Sequence, residues 1–181
     1  MKKEEHDHTG SRLKDIILGG QDGLVNVLGV ILGVAVATYD TKIVIIAGLA
    51  AAFAESISMA AVAYTSTDAA LSYYASKIKK HRMFNLLKEE YENPKKSAYV
   101  VGLSAIIGSL IPLIPFFFLS VSSSITIALV LAALALFITG TIKGKLTKEN
   151  QFKEGFKILV IGMLAALVGY LVGYFVSKVN F

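Results

Sequence analysis

Five long stretches of the chain are almost wholly apolar, at about 20–39, 43–65, 98–119, 125–141 and 156–176, and the charged residues gather between them. A hydrocarbon layer about 30 Å thick is crossed by roughly 20 apolar residues in helical form. The runs are continuously apolar and lack the alternation that a membrane barrel shows. The pattern therefore predicts an all-α integral membrane protein with five transmembrane helices, the fourth being the shortest. Between the second and third stretches, no helix breaker occurs before Pro94. The second helix is expected to continue past the membrane there before the chain turns back. The organisation expected is a tail at 1–15, a five-helix membrane domain at 16–177 with a helical connection at about 66–97, and a short tail at 178–181.

Charge orients this bundle. Sixteen of the 18 Lys and Arg fall on one side: in the N-terminal tail, in the 66–97 connection, and between the fourth and fifth stretches. Only Lys42 and Lys178 fall on the other side. By the positive-inside rule the N-terminus is cytoplasmic and the C-terminus is outside. Met1–Leu13 is polar with no apolar core, so a cleaved signal peptide is not expected. With no targeting signal in view, the plasma membrane of a single-compartment cell and an organelle membrane fit equally.

Composition narrows the chemistry. The chain is 55% hydrophobic and only 17% charged, with a mean hydropathy of +0.64, against about 25% charged residues in soluble domains. Topology accounts for the pI of about 9.3, so no nucleic-acid partner is implied. The chain has no Cys and three His, and the His lie outside the apolar stretches. A thiolate or imidazole metal site inside the membrane is thereby excluded or disfavoured. No P-loop, GxSxG or HExxH pattern occurs, so neither an enzyme nor an ATP-driven pump is expected.

The exceptions to the apolar pattern carry the information, because ionisable groups at membrane depth are costly and usually functional. Asp22 opens the first stretch, Asp40 closes it, and Glu55 lies near the middle of the second. A mid-span carboxylate costs about 3 kcal/mol. It is either a neutral group bonded to a neighbouring helix or part of a polar pathway, and its surroundings favour the pathway. Glu55 and Met59 share a helix face at i, i+4, with Ser56 and Ser58 beside them. Carboxylate and thioether together suit a borderline transition metal better than Mg²⁺ or Ca²⁺. Asp22 and Asn26 form a second i, i+4 pair; Asp22 alone could equally be a charge favoured by the helix dipole. Gly29 with Gly33, and Gly169 with Gly173, form small-xxx-small steps that permit close helix contact. Pro112 and Pro115 interrupt the third stretch and leave carbonyls without donors. They mark either a plain kink or a helix opened beside a pathway.

Two further groups are weaker. His6, Asp7 and His8 read best as a solvated tail. Glu89, Glu90 and Glu92, downstream of His81 and Met83, read as a solvated helix face or, more sharply, as a metal-collecting patch.

The segments LKDIILGGQDGLVNVLGVILGVAVA, AGLAAAFAESISMAAVAYTS and ENPKKSAYVVGLSAIIGSLIPLIPFF resemble the vacuolar iron transporter family. The resemblance spans most of residues 13–175 and is specific in the first three stretches. It implies a homodimeric carrier with its pathway at the subunit interface, moving Fe²⁺ and often Mn²⁺ out of the cytoplasm in exchange for protons, with no cofactor. The family's first-span acid carries over to Asp22 and its second-span methionine to Met59. The family's second-span glutamate falls on Ala51, and a further acidic position falls on Ala63; Glu55 lies one turn along the same face from Ala51. The connection is too short for the larger metal-binding helical region many members carry, of which Glu89, Glu90 and Glu92 would be a remnant. The expected function is divalent-metal export, with metal ligands Asp22, Glu55 and Met59 and secondary candidates Asn26, Ser58, Glu89, Glu90 and Glu92. The partners expected are the metal ion as substrate, the lipid bilayer and a second copy. A carrier of another divalent cation such as Ca²⁺, and a non-transporting membrane scaffold, are the alternatives.

Overall fold

The computed structural model describes residues 9–77 and 93–179. Its helices are α1 (Thr9–Thr38), α2 (Thr41–Lys77), α3 (Pro94–Leu113), α4 (Val121–Leu146) and α5 (Gln151–Val176), with a 3₁₀ turn at Ile114–Phe117 after α3. All five are long and apolar enough to cross a membrane, and no strand occurs among the described residues. The protein is a multi-pass integral membrane protein. His6, Asp7, His8, His81, Met83, Glu89, Glu90 and Glu92 lie outside the described residues.

The fourth helix is not the shortest. α4 has 26 residues against 20 in α3. Hydropathy misses its ends because Ser122–Ser124 and Lys143–Lys145 are helical yet polar. The Ser124 backbone N–H donates to the Ser120 carbonyl at 2.9 Å, and the two lysines suit a helix C-terminus.

α1 is the central helix. Leu24, Val27, Leu28, Ile31, Leu32 and Ala35 are each at most 3% exposed, and α1 packs on all four other helices. Small residues make this possible. A β-carbon on Gly23 would run into the Ala105 carbonyl of α3, and one on Gly173 would run into the backbone of Gly33. The two glycine steps of α1 and α5 thus face each other, Gly29 to Gly169 and Gly33 to Gly173, a contact that only small residues allow. The pairings show that α1, α3 and α5 run parallel while α2 and α4 run back.

Asp40 has a local task. Its Oδ1 accepts from the backbone N–H groups of Lys42 at 2.8 Å and Ile43 at 3.2 Å, capping the start of α2. The prolines tighten the end of α3 into the 3₁₀ turn, and both are buried. Leu113 beside them packs on Gly48 of α2, roughly two turns of α2 from Glu55.

Candidate functional site

α1 and α2 are joined by a tight turn and run antiparallel, so their levels pair in a fixed way. Ile31 touches Gly48, and the Asn26 amide Nδ2 donates to the Glu55 Oε1 at 2.6 Å. Each helix rises about 1.5 Å per residue. The residue one turn before Asn26, which is Asp22, is therefore level with the residue one turn after Glu55, which is Met59. The Asn26 and Asp22 side chains thus both act on Glu55, and helical rise puts Met59 one turn of α2 further, at about the level of Asp22. Asn26 and Glu55 make one level; Asp22 and Met59 make the next, closer to the basic end of the bundle.

The electrostatics of this cluster are unbalanced. Among the described residues, the side chains that act on the Glu55 carboxyl are the Asn26 amide and the Asp22 carboxyl. The Asp22 carboxyl also lies within hydrogen-bonding reach of Glu55, and two carboxyls this close hold either a shared proton or a cation, since two bare carboxylates repel. Glu55, Asp22 and Met59 are half-buried and Asn26 is exposed. The cluster therefore lies on the outer face of the α1–α2 pair, not within the core. Among the described residues, no three His, Cys, Asp or Glu converge. The groups brought together are two carboxyls and an amide, with the Met59 thioether one turn along α2.

The serines divide. Ser56 turns inward, buried, with its hydroxyl donating to the Ala52 carbonyl at 2.7 Å, so it serves the helix. Ser58 is exposed, on the flank of Glu55 away from Met59.

Sequence reasoning overlooked a cleft and a buried acid. Between α1, α5 and the end of α4 lies a cleft of about 690 Å³, lined by Lys14, Gln21, Asp22, Asn26, Lys143 and Thr147 among others. It leads from the basic end to the Asp22 side of the cluster. Asp15, assigned to a solvated tail, is only 4% exposed and holds an interaction of its own. It stands seven residues before Asp22, on the same face of α1, and that spacing was the available signal.

Comparison with known proteins bears directly on this arrangement. The model of the VIT family matches residues 13–85 and 81–174. The chain belongs to the VIT family. Vacuolar iron transporter 1 of Eucalyptus grandis is 25% identical over 218 residues, covering 93% of this chain and 88% of its own length. Vacuolar iron transporter homolog 1 of Arabidopsis thaliana is 28% identical over 160 residues, covering 87% and 80%. An uncharacterized protein of Methanocaldococcus jannaschii is 29% identical over 169 residues, covering 87% and 86%. The Eucalyptus alignment of 218 positions exceeds the 181 residues of this chain, so that relative has segments this chain lacks. The two family matches meet in the connection between α2 and α3.

The structure gives the carboxylate at 55 a partner on α1, the Asn26 amide. By the same antiparallel register, Ala51 is level with Val30, an apolar residue 39% exposed. The Asn26 amide is one turn from that level, whereas it is level with Glu55 and bonds it directly. Ala63, where the family shows a further acid, is 6% exposed and leaves little room for one.

Proposed function

We propose that this VIT family member exports divalent transition-metal ions from the cytoplasm, Fe²⁺ first and Mn²⁺ second, by exchange with protons. The observation that carries this reading is the Asp22, Asn26, Glu55 and Met59 cluster, placed across two membrane helices and left open on their outer face. Polar groups at that depth are tolerated where they face protein or a water-filled path. A second copy covering this face meets that requirement, so the working unit is a homodimer with the path between subunits. Two copies double the oxygen and sulfur donors around one ion.

The N-terminus is cytoplasmic on the charge distribution. The ion enters through the cleft, meets the Asp22 and Met59 level, and passes to Glu55. Proton uptake by the carboxyl releases it to the far side. Capture in the cytoplasm by Glu89, Glu90 and Glu92 is weak, since the connection is short. The test is flux of Fe²⁺ and Mn²⁺ into proteoliposomes with and without an imposed pH gradient. Gradient-driven flux supports the exchange; absence of flux for both ions overturns the reading.

A harder ion is a second reading, favoured by the amide of Asn26. With it, oxygen donors outnumber sulfur in the cluster, which suits Mn²⁺ or Ca²⁺. Competition of each ion against Fe²⁺ flux separates the two.

A further inference from the structure

The cleft that leads to Asp22 contains an unexpected group for a cation entrance, the ammonium of Lys143. It reaches the cleft from the last turn of α4, with Lys14 of α1 as the other cation of the lining. Lys143 donates to the Glu154 carboxylate of α5 and lies 3.8 Å from Glu149. Glu154 also meets Lys157 at 3.6 Å. The Glu154 side chain is 14% exposed and that of Lys143 29%. Close helix approach fixes this geometry. A β-carbon on Gly144 would stand 3.3 Å from the Glu154 Cβ, and one on Gly140 would run into the Glu154 carbonyl. Helix dipoles favour a lysine ending α4 and a glutamate opening α5, but they do not direct the lysine into the cleft that Asp22 lines.

We propose that Lys143, tethered by Glu154, sets how strongly the cleft draws in the divalent cation. The inference rests on the transport reading and deepens it: Lys143 and Glu154 set the affinity of the entrance for a divalent cation. Tethered, the ammonium is compensated and held on the α4–α5 side. Without Glu154 it keeps only the more exposed Glu149, 3.8 Å away, and its less compensated charge shares one cleft with Asp22 and competes with the incoming ion. Like charges repel across a cleft of this size because the screening length is about 10 Å at 0.1 M salt.

The test is the concentration dependence of Mn²⁺ flux in proteoliposomes of the full chain at low salt. Lys143→Gln should lower KM about three- to fivefold, the scale of one unit charge acting on a divalent ion across water. Glu154→Gln should raise KM by a similar factor. The double variant should return close to the parent KM, Lys143→Arg should match the parent, and kcat should change little throughout. Raising the salt to about 0.5 M should shrink each difference. A tether that only holds α4 to α5 would make both single variants worse in the same direction, and that outcome overturns the inference while leaving transport standing. Unchanged KM in both variants overturns it equally. A parent that carries no divalent ion overturns the transport reading and this inference together.

Discussion

Replacing Glu55 by Gln tests the site most directly, because it removes charge while keeping shape. The Gln Oε1 can still accept from Asn26 at the 2.6 Å contact of the parent, and the Asp22 carboxyl no longer faces a second one. Stability in detergent should therefore equal or exceed that of the parent. Affinity should fall sharply. A unit charge about 4 Å away is worth about 1 kcal/mol in bulk water, and hence about 2 kcal/mol to a divalent ion. That is roughly a 30-fold loss at 1.4 kcal/mol per tenfold. The half-buried site has a lower effective dielectric than water, so 30-fold is the lower bound. The assay is initial Fe²⁺ and Mn²⁺ flux into proteoliposomes across a concentration series, with a thermal melt in detergent run beside it. Flux within twofold of the parent at limiting ion would refute the reasoning. A large loss of flux accompanied by a lower melting temperature would point to misfolding instead.

Three other outcomes are expected. Met59→Leu keeps the volume and removes the thioether, so Fe²⁺ flux should fall more than Mn²⁺ or Ca²⁺ flux in a competition assay; equal losses would exclude sulfur ligation. At the α1–α5 seam the substitutions should be asymmetric. A β-carbon on Gly29 stands 3.8 Å from its nearest neighbour, whereas one on Gly169 stands 2.6 Å from the Gly29 backbone. Gly29→Ala should therefore be neutral or gain up to about 1 kcal/mol of helix propensity, while Gly169→Ala should lose about 1–3 kcal/mol through overpacking, both read by melting in detergent. Finally, Ala51→Glu with Glu55→Ala places the carboxylate at the level of Val30. It should transport less well than the parent, and adding Val30→Asn should restore part of the loss; parental transport by the double variant would refute the level argument.

How much of this was legible depended on the range of the interaction. The five helices follow from hydropathy alone, because each span satisfies its own backbone hydrogen bonds and must be apolar throughout. Their ends were less legible, since Ser122–Ser124 and Lys143–Lys145 are polar yet helical. The pairs Asp22–Asn26 and Glu55–Met59 were visible as spacings within one helix. That Asn26 meets Glu55 was not, because pairing between helices depends on a register that the tight turn and Asp40 cap set. The tether of Lys143 to Glu154 escaped for the same reason, since it is defined by a neighbouring helix.

That distinction bears on one of the two departures that the resemblance implies, the Ala51 and Glu55 positions of α2. Read along a single helix, a glutamate moved from 51 to 55 is a one-turn slip that keeps its face and changes its depth. Read across two helices, the slip exchanges Val30 for Asn26 as the opposite residue. The carboxylate gains a donor, and the Asp22 carboxyl one turn away becomes its electrostatic partner. The structural unit is therefore the Asn26–Glu55 pair, and a substitution at 55 cannot be interpreted without its counterpart at 26. In this chain the turn of α1 that supplies the α2 acid with a donor is at Asn26.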